Sequence, residues 1–212
     1  MTETFIVLLR GVNVVGANSL PMKDFLRFLE SAGAGRVRTY IQSGNAVFQA
    51  DAGDAAGFPD RIKASIQRSL GFAPEVILLR LEELEKAVAA NPYPDADADP
   101  RALHLMFLAS TPGQPDLTAL ARLCADGEQF SLNGRVFYFF APAGIGRSKA
   151  ARQIEKRLGV LGTARNWRTT GRVLQMAREL AASGQSQTVP RPSVLKRRAK
   201  GLSSTSNNEA KP

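Results

Sequence analysis

One order of segments, strand-helix-strand-strand-helix-strand, is written twice along this chain, and no other feature restricts its fold as much. Phe5-Ile-Val-Leu-Leu9 is a continuous apolar run, as expected for a central strand covered on both faces. A Gly/Asn-rich loop follows over residues 11–19. Pro21 then opens a helix whose apolar face is Met22, Phe25, Leu26 and Leu29, with Gly33 as its stop. Residues 36–41 and 45–50 are β-prone and flank Gln42-Ser43-Gly44, which reads as a hairpin. Ile62, Ile66 and Leu70 mark a second helix ended by Gly71, and residues 75–80 form another strand.

The order then recurs. Residues 81–90 are a connecting helix, closed by Asn91-Pro92-Tyr93-Pro94 and an acidic loop. Residues 103–109 are a strand and 116–125 a helix. A hairpin over 129–132 and 135–141 turns about Asn133-Gly134, the strongest short turn signal in the chain. A helix over 150–158, a short strand over 163–165 and a closing helix over 170–182 complete the set. The repeat is one of topology rather than of residues. It predicts an α+β chain of two tandem ferredoxin-like (βαββαβ) halves: residues 1–80, then 81–183 with the connecting helix. Residues 184–212 run from Gly-Gln-Ser-Gln-Thr through Pro-Arg-Pro-Ser into a basic cluster, and lack the apolar content to pack. A disordered basic tail is expected there.

Length and composition set outer limits. With 212 residues, 44% of them apolar, the chain can bury a core of ordinary size. Its single cysteine, Cys124, shares a helical spacing with Leu117, Leu120 and Ala121, which predicts a buried helix face. A lone thiol forms no internal disulfide and no cysteine metal site, so a reducing compartment fits. The N-terminus has no basic leader and only five apolar residues before Arg10. No apolar run approaches the roughly 20 residues that span a bilayer. A soluble, cytoplasmic protein without a membrane partner is expected.

The formal net charge of +9 is unevenly distributed. Residues 184–212 carry +5 of it. From Arg147 to Arg178 nine basic residues face Glu155 alone, whereas residues 51–99 hold ten acids against five bases. Such a field draws anions to one region of the fold.

The placement of those cations suggests where. A helix N-terminus carries partial positive charge, so an exposed Arg or Lys there costs about 0.3–1 kcal/mol. Arg147 and Lys149 flank Ser148 at the predicted start of the 150–158 helix, and Arg165 and Arg168 flank Asn166 before the last one. A bound anion would reverse the sign of that effect. Arg147, Ser148, Lys149, Arg165 and Asn166 are therefore expected to meet a phosphate or carboxylate. The plainer alternative is solvated side chains pairing with Glu155 and Glu179. Arg10 and Asn13, leaving the first strand, are a second candidate anion pair, although a strand-end loop needs Gly and Asn merely to turn. Tyr40, Gln42, Asn45 and Trp167 are candidates for lining the same cleft. Against that, Ser43-Gly44-Asn45 is also hairpin chemistry, and a Trp beside a helix start is also a packing anchor.

Other chemistry is not visible. Gly144-Ile-Gly-Arg-Ser-Lys149 lacks the Gly-Lys-Ser/Thr order and spacing of a nucleotide-binding P-loop. The lone histidine, His104, shares a strand face with Met106 and Leu108, as a buried or half-buried residue would. One His and one Cys make neither a zinc site nor a supported Cys-His nucleophile pair. No metal, cofactor or catalytic residue is predicted.

Four segments together resemble the uncharacterised domain-of-unknown-function family 1697: Leu9-Arg-Gly-Val-Asn-Val14, Arg38-Thr-Tyr-Ile-Gln-Ser-Gly-Asn45, Glu155-Lys-Arg-Leu-Gly159 and Thr163-Ala-Arg-Asn-Trp167. The likeness covers roughly residues 3–182. It implies two ferredoxin-like halves and no particular activity. The chain departs from related sequences at Val15 and Ala17, where a glycine and a lysine are usual.

Three functions follow as expectations. The first is a protein, enzyme or not, that binds an anionic, phosphate-bearing small molecule in a basic cleft of the second half. The second is a nucleic-acid-binding module using the basic face and tail. Its tail would give weak, unspecific affinity, and its strands lack the paired aromatics of RNA-binding sheets, since Asn45-Ala-Val-Phe-Gln49 offers only Phe48. The third is an interaction domain without chemistry.

Overall fold

The computed structural model describes residues 1–185 apart from Val15. Residues 186–212, most of the expected tail, lie outside the described residues. Two four-stranded antiparallel sheets carry the same strand order. The first half runs β1 (Thr2–Arg10), α1 (Met22–Ser31), β2 (Gly35–Tyr40), β3 (Asn45–Asp51), α2 (Phe58–Leu70) and β4 (Glu75–Arg80), with sheet order β2-β3-β1-β4. After α3 (Leu81–Ala89) come β5 (Leu103–Leu108), α4 (Leu117–Ala121), β6 (Gln129–Asn133), β7 (Val136–Phe140), α5 (Ile154–Leu158), β8 (Gly162–Asn166) and α6 (Trp167–Gln185), with sheet order β6-β7-β5-β8.

Strand parity sorts the apolar side chains into three cores. In β1, Phe5, Val7 and Leu9 face α1 and α2, where they meet Phe25, Leu29, Phe48, Phe58 and Ile62. Ile6 and Leu8 face the other way, into a central core shared by both sheets. A half-exposed antiparallel strand would alternate apolar and polar residues. The unbroken run in β1 reflects burial on both sides. The central core also takes Leu103, Leu105 and Phe107 of β5, Leu84 and Ala87 of α3, and Val173, Ala177 and Leu180 of α6. The outer face of the second sheet packs Phe137, Phe139 and Leu108 against Leu120, Ile154 and Leu158. The layers are thus helices, sheet, α3 with α6, sheet, helices. Tyr138 pins α3 to this stack: its buried hydroxyl donates to the Ala87 carbonyl at 2.7 Å.

Three expected elements differ. The 116–125 helix is only α4, capped by the Asp116 carboxylate on the Ala119 N–H. Cys124 therefore lies beyond the helix, half-buried, and Ala121 is exposed. The 150–158 helix begins as a 3-10 turn, Ala151–Gln153, and becomes α-helical only at Ile154. Ile41, expected in β2, sits in the turn with φ 47°, a conformation that ends strand pairing and that β-branched residues rarely adopt.

Gly44 closes that hairpin against β1. Its φ is +70°, and a Cβ there would stand 2.6 Å from Leu9 Cβ and 2.8 Å from Val12 Cγ2. Its carbonyl accepts the Leu9 N–H at 2.8 Å, so neither side can yield without losing a bond. Gly44→Ala is expected to destabilise the fold by about 1–3 kcal/mol, read as a fall in the urea midpoint. An unchanged midpoint would show that the hairpin tip has slack.

Candidate functional site

β8 is an edge strand of the second sheet, and it lies against the end of β1 in the first. Its pleat aims Thr163 and Arg165 toward the first half. Arg165 is 8% exposed, and each of its five N–H groups has an acceptor. Nε donates to Asn45 Oδ1. Nη1 donates to Thr163 Oγ1 at 2.7 Å and the Ala164 carbonyl at 2.9 Å. Nη2 donates to the carbonyls of Leu9 and Ser43, both at 2.8 Å. Every acceptor is neutral. Burial without a counter-charge lowers the guanidinium pKa to about 10, still well above neutral pH, so the group stays cationic.

Asn45, fully buried, is the partner that makes this possible. Its Nδ2 donates to the Tyr40 carbonyl at 3.1 Å and Ser43 Oγ at 2.8 Å, which turns Oδ1 toward Arg165. Beside it, Arg10 and Glu155 form a two-pronged ion pair across the halves, Nε to Oε1 at 2.7 Å and Nη2 to Oε2 at 2.6 Å. Glu155 Oε1 also accepts the Gly162 N–H at 2.9 Å. Burial pushes the Glu155 carboxyl up, but the bonds from Arg10 and Gly162 and the Arg10 charge outweigh it and hold it below 4.5. The same bond raises the pKa of Arg10.

The loop after β1 is organised by Asn13. Its Nδ2 donates to the carbonyls of Leu20 at 2.9 Å and Gln42 at 2.8 Å, while its Oδ1 accepts the Leu20 N–H at 2.7 Å. Tyr40 is half-buried against the central core, whereas Gln42 is exposed. Trp167 packs on the central core and donates Nε1 to Asp97 at 2.6 Å.

The structure therefore gathers Arg10, Asn13, Asn45 and Arg165 at the junction of the halves, and it gathers them onto protein partners. Arg165 does stand beside the N-terminus of α6, one residue before the Asn166 cap, but as a β8 residue it is turned into the junction of the halves. All its donors are engaged, which leaves none for an anion. Asn166 does cap a helix, accepting the Thr169 N–H at 2.9 Å. Arg147, Ser148 and Lys149 lie outside this network, after β7. Ser148 is buried and its Oγ accepts the N–H of Ala151, the first residue of a 3-10 turn, at 2.9 Å. Arg147 and Lys149 are exposed, as are Arg152 and Lys156. The acids expected to pair with these cations are taken by the first half: Glu155 by Arg10, and Glu179 by Arg38 at 3.4 Å. Asp116 pairs with Arg157 at 3.2 Å. His104 is half-buried with its Nδ1 unpartnered, and burial depresses its pKa. Burial raises that of the Cys124 thiol.

Glu155 was missed as a partner of Arg10. The 145 residues between them hide the pairing, and only its position in a resembling segment marked it.

Two outcomes follow. Arg165→Met leaves its acceptors, three of them in buried bonds, without a donor, at about 1–3 kcal/mol each, so a loss of at least about 3 kcal/mol is expected in urea unfolding; a smaller loss would show that the junction repacks. For Glu155 the folded pKa is depressed, so its contribution is complete above 4.5 and disappears as pH falls through the lower, folded value. Glu155→Gln should lower stability at pH 7 and flatten the acid slope of the melting temperature. An unaltered slope would place the acid sensitivity elsewhere.

A structure described as that of the conserved bacterial protein SP0830 from Streptococcus pneumoniae aligns with a TM-score of 0.63 at 22% identity, over 84% of this chain and 99% of that one. At that identity the likeness speaks for the fold alone. No curated protein matches the chain. The family model described as protein of unknown function (DUF1697) matches residues 1–138. All four of the resembling segments meet at the buried junction, two of them inside that match, and the chain belongs to the DUF1697 family.

Proposed function

We propose that this chain binds an anionic, phosphate-bearing small molecule on the surface formed by Arg147, Lys149, Arg152 and Lys156. One observation carries the reading: these four cations have no acidic partner among the described residues, because Glu155 and Asp116, the acids nearest in the packing of α4 and α5, are held by Arg10 and Arg157. The unbalanced charge runs from the loop after β7 into α5, where Ser148 Oγ accepts the Ala151 N–H. An anion docking there gains charge-assisted hydrogen bonds that offset desolvation, and no internal ion pair must first be broken. Arg165 and Arg10 belong to the scaffold in this reading. It names no reaction.

We infer as well that each half follows the ferredoxin-like plan, supported by strand orders of second-third-first-fourth in both sheets. Residues 1–80 and 81–183 are its two units. A cytoplasmic location fits the single, half-buried thiol, and among the described residues no helix is long and apolar enough to cross a membrane. Nucleic-acid binding through a sheet face is disfavoured, since both faces of each sheet are covered within the three cores. It keeps one support: the four cations are exposed side chains rather than the lining of a cleft.

The test is the double charge reversal Arg147→Glu with Lys149→Glu, using thermal shift against inorganic phosphate, sugar phosphates and nucleotides. The unaltered chain should gain about 2.7 kcal/mol at a ligand concentration 100-fold above Kd. The double variant should bind at least tenfold more weakly. Equal shifts in both proteins would refute the surface. Oligonucleotide titrations at two salt concentrations separate the alternative, which requires a steep salt dependence.

A further inference from the structure

Each four-stranded sheet ends in two edge strands, and an open edge is a template for another strand. Three of the four edges are blunted. β2 carries Arg36, Arg38 and a register shift between Gly35 and Arg38, and its arginines reach Ser183 and Glu179 of α6. β4 is bounded by Glu75 and Arg80, which pair with Lys63 and Glu3. β8 lies against β1, where Thr163 donates to the Leu9 carbonyl. β6 has no such protection. Its residues, Gln-Phe-Ser-Leu-Asn, include no charge and no proline, and none of them is buried. Its register with β7 is unbroken.

The turn decides which backbone groups of β6 are open. Gly134 and Arg135 make a two-residue turn between Asn133 and Val136. Residues flanking such a turn exchange hydrogen bonds, and bonded pairs alternate along an antiparallel ladder. Gln129, Ser131 and Asn133 therefore address β7. Phe130 and Leu132 direct their N–H and C=O groups outward, where no backbone group of the described residues meets them.

The pattern of β6 itself points to the occupant. Polar and apolar residues alternate symmetrically about Ser131. An antiparallel copy centred there sets Phe130 against the second copy's Leu132, Gln129 against its Asn133, and Ser131 against its equivalent. Phe130 and Leu132 are half-buried against the outer core, with Phe130 stacked on Phe137 at 5.4 Å between ring centroids. Pairing extends that apolar layer across the axis, and no like charges meet. We propose that β6 pairs antiparallel with β6 of a second copy, joining two four-stranded sheets into one continuous sheet about a two-fold axis at Ser131. The interface uses none of the cations of the phosphate surface.

Sedimentation velocity of the full chain, over about a hundredfold range of concentration, should show a monomer–dimer equilibrium. Ser131→Lys opposes like charges on the axis and should weaken association at least about tenfold. Hydrogen exchange at the Phe130 and Leu132 amides should slow as the dimer forms. The non-bonded pair at Ser131 brings its Cα atoms to about 4.5 Å, within disulfide range. Ser131→Cys in a Cys124→Ala background should therefore crosslink under mild oxidation. Far-UV circular dichroism and melting curves establish that the variants are folded. The Arg147→Glu, Lys149→Glu double variant should associate unchanged, so failure here is distinct from failure of the phosphate surface. A monomer at every concentration would leave the edge to a strand of another protein and overturn the inference. So would a dimer that survives Ser131→Lys or yields no crosslink.

Discussion

A guanidinium removed from water needs a partner for every N–H, and Arg165 finds five without any carboxylate. Three of those partners, Leu9, Ser43 and Asn45, belong to the first half. The requirement is strict, because each donor or acceptor left open in a buried place costs about 1–3 kcal/mol. It can be met only when β8 lies at one height along β1 and the β2–β3 turn is closed. Gly44 allows that closure by letting the turn touch Leu9 and Val12, and the Arg10–Glu155 pair sets the outer edge of the same junction. Two halves that could otherwise slide on an apolar interface are thereby held in register. Burying polar groups in this way has its best-attested role in specifying arrangement rather than adding stability.

That register decides what surface remains for function. With α3 and α6 between the sheets, the faces opposite α1–α2 and α4–α5 are both interior. The broad sheet face that related architectures can offer to RNA is closed here. Recognition must occur on edges, turns and outer helices. The cations without an acidic partner are of that kind: Arg147, Lys149, Arg152 and Lys156, from the loop after β7 into α5.

Much of the fold was legible. Strand parity in residues 5–9, the helix faces, the Asn133-Gly134 turn and the recurrence of order all survive in the structure, because each depends on neighbours within a few residues. Boundaries slipped where that dependence ends. The segment before Ile154 takes a 3-10 turn, and Ile41 leaves the strand in a left-handed conformation. The candidate site was legible in its residues but not in their employment. Arg165 stands beside a helix start, as an anion ligand would, but three of its acceptors, Leu9, Ser43 and Asn45, lie in the first half, beyond the reach of local pattern.

Local pattern alone determined the elements, their order, the doubly covered central strand and the concentration of positive charge after residue 147. Those follow from periodicity and counting, which need no knowledge of distant contacts. Tertiary structure alone decided which cations are available and which are already satisfied. That depends on acceptors 120 to 156 positions away for Arg165, and 145 for Arg10. A side chain's chemistry is written in its own residue, but the partners that leave it free or engaged come into place only when the chain has closed on itself.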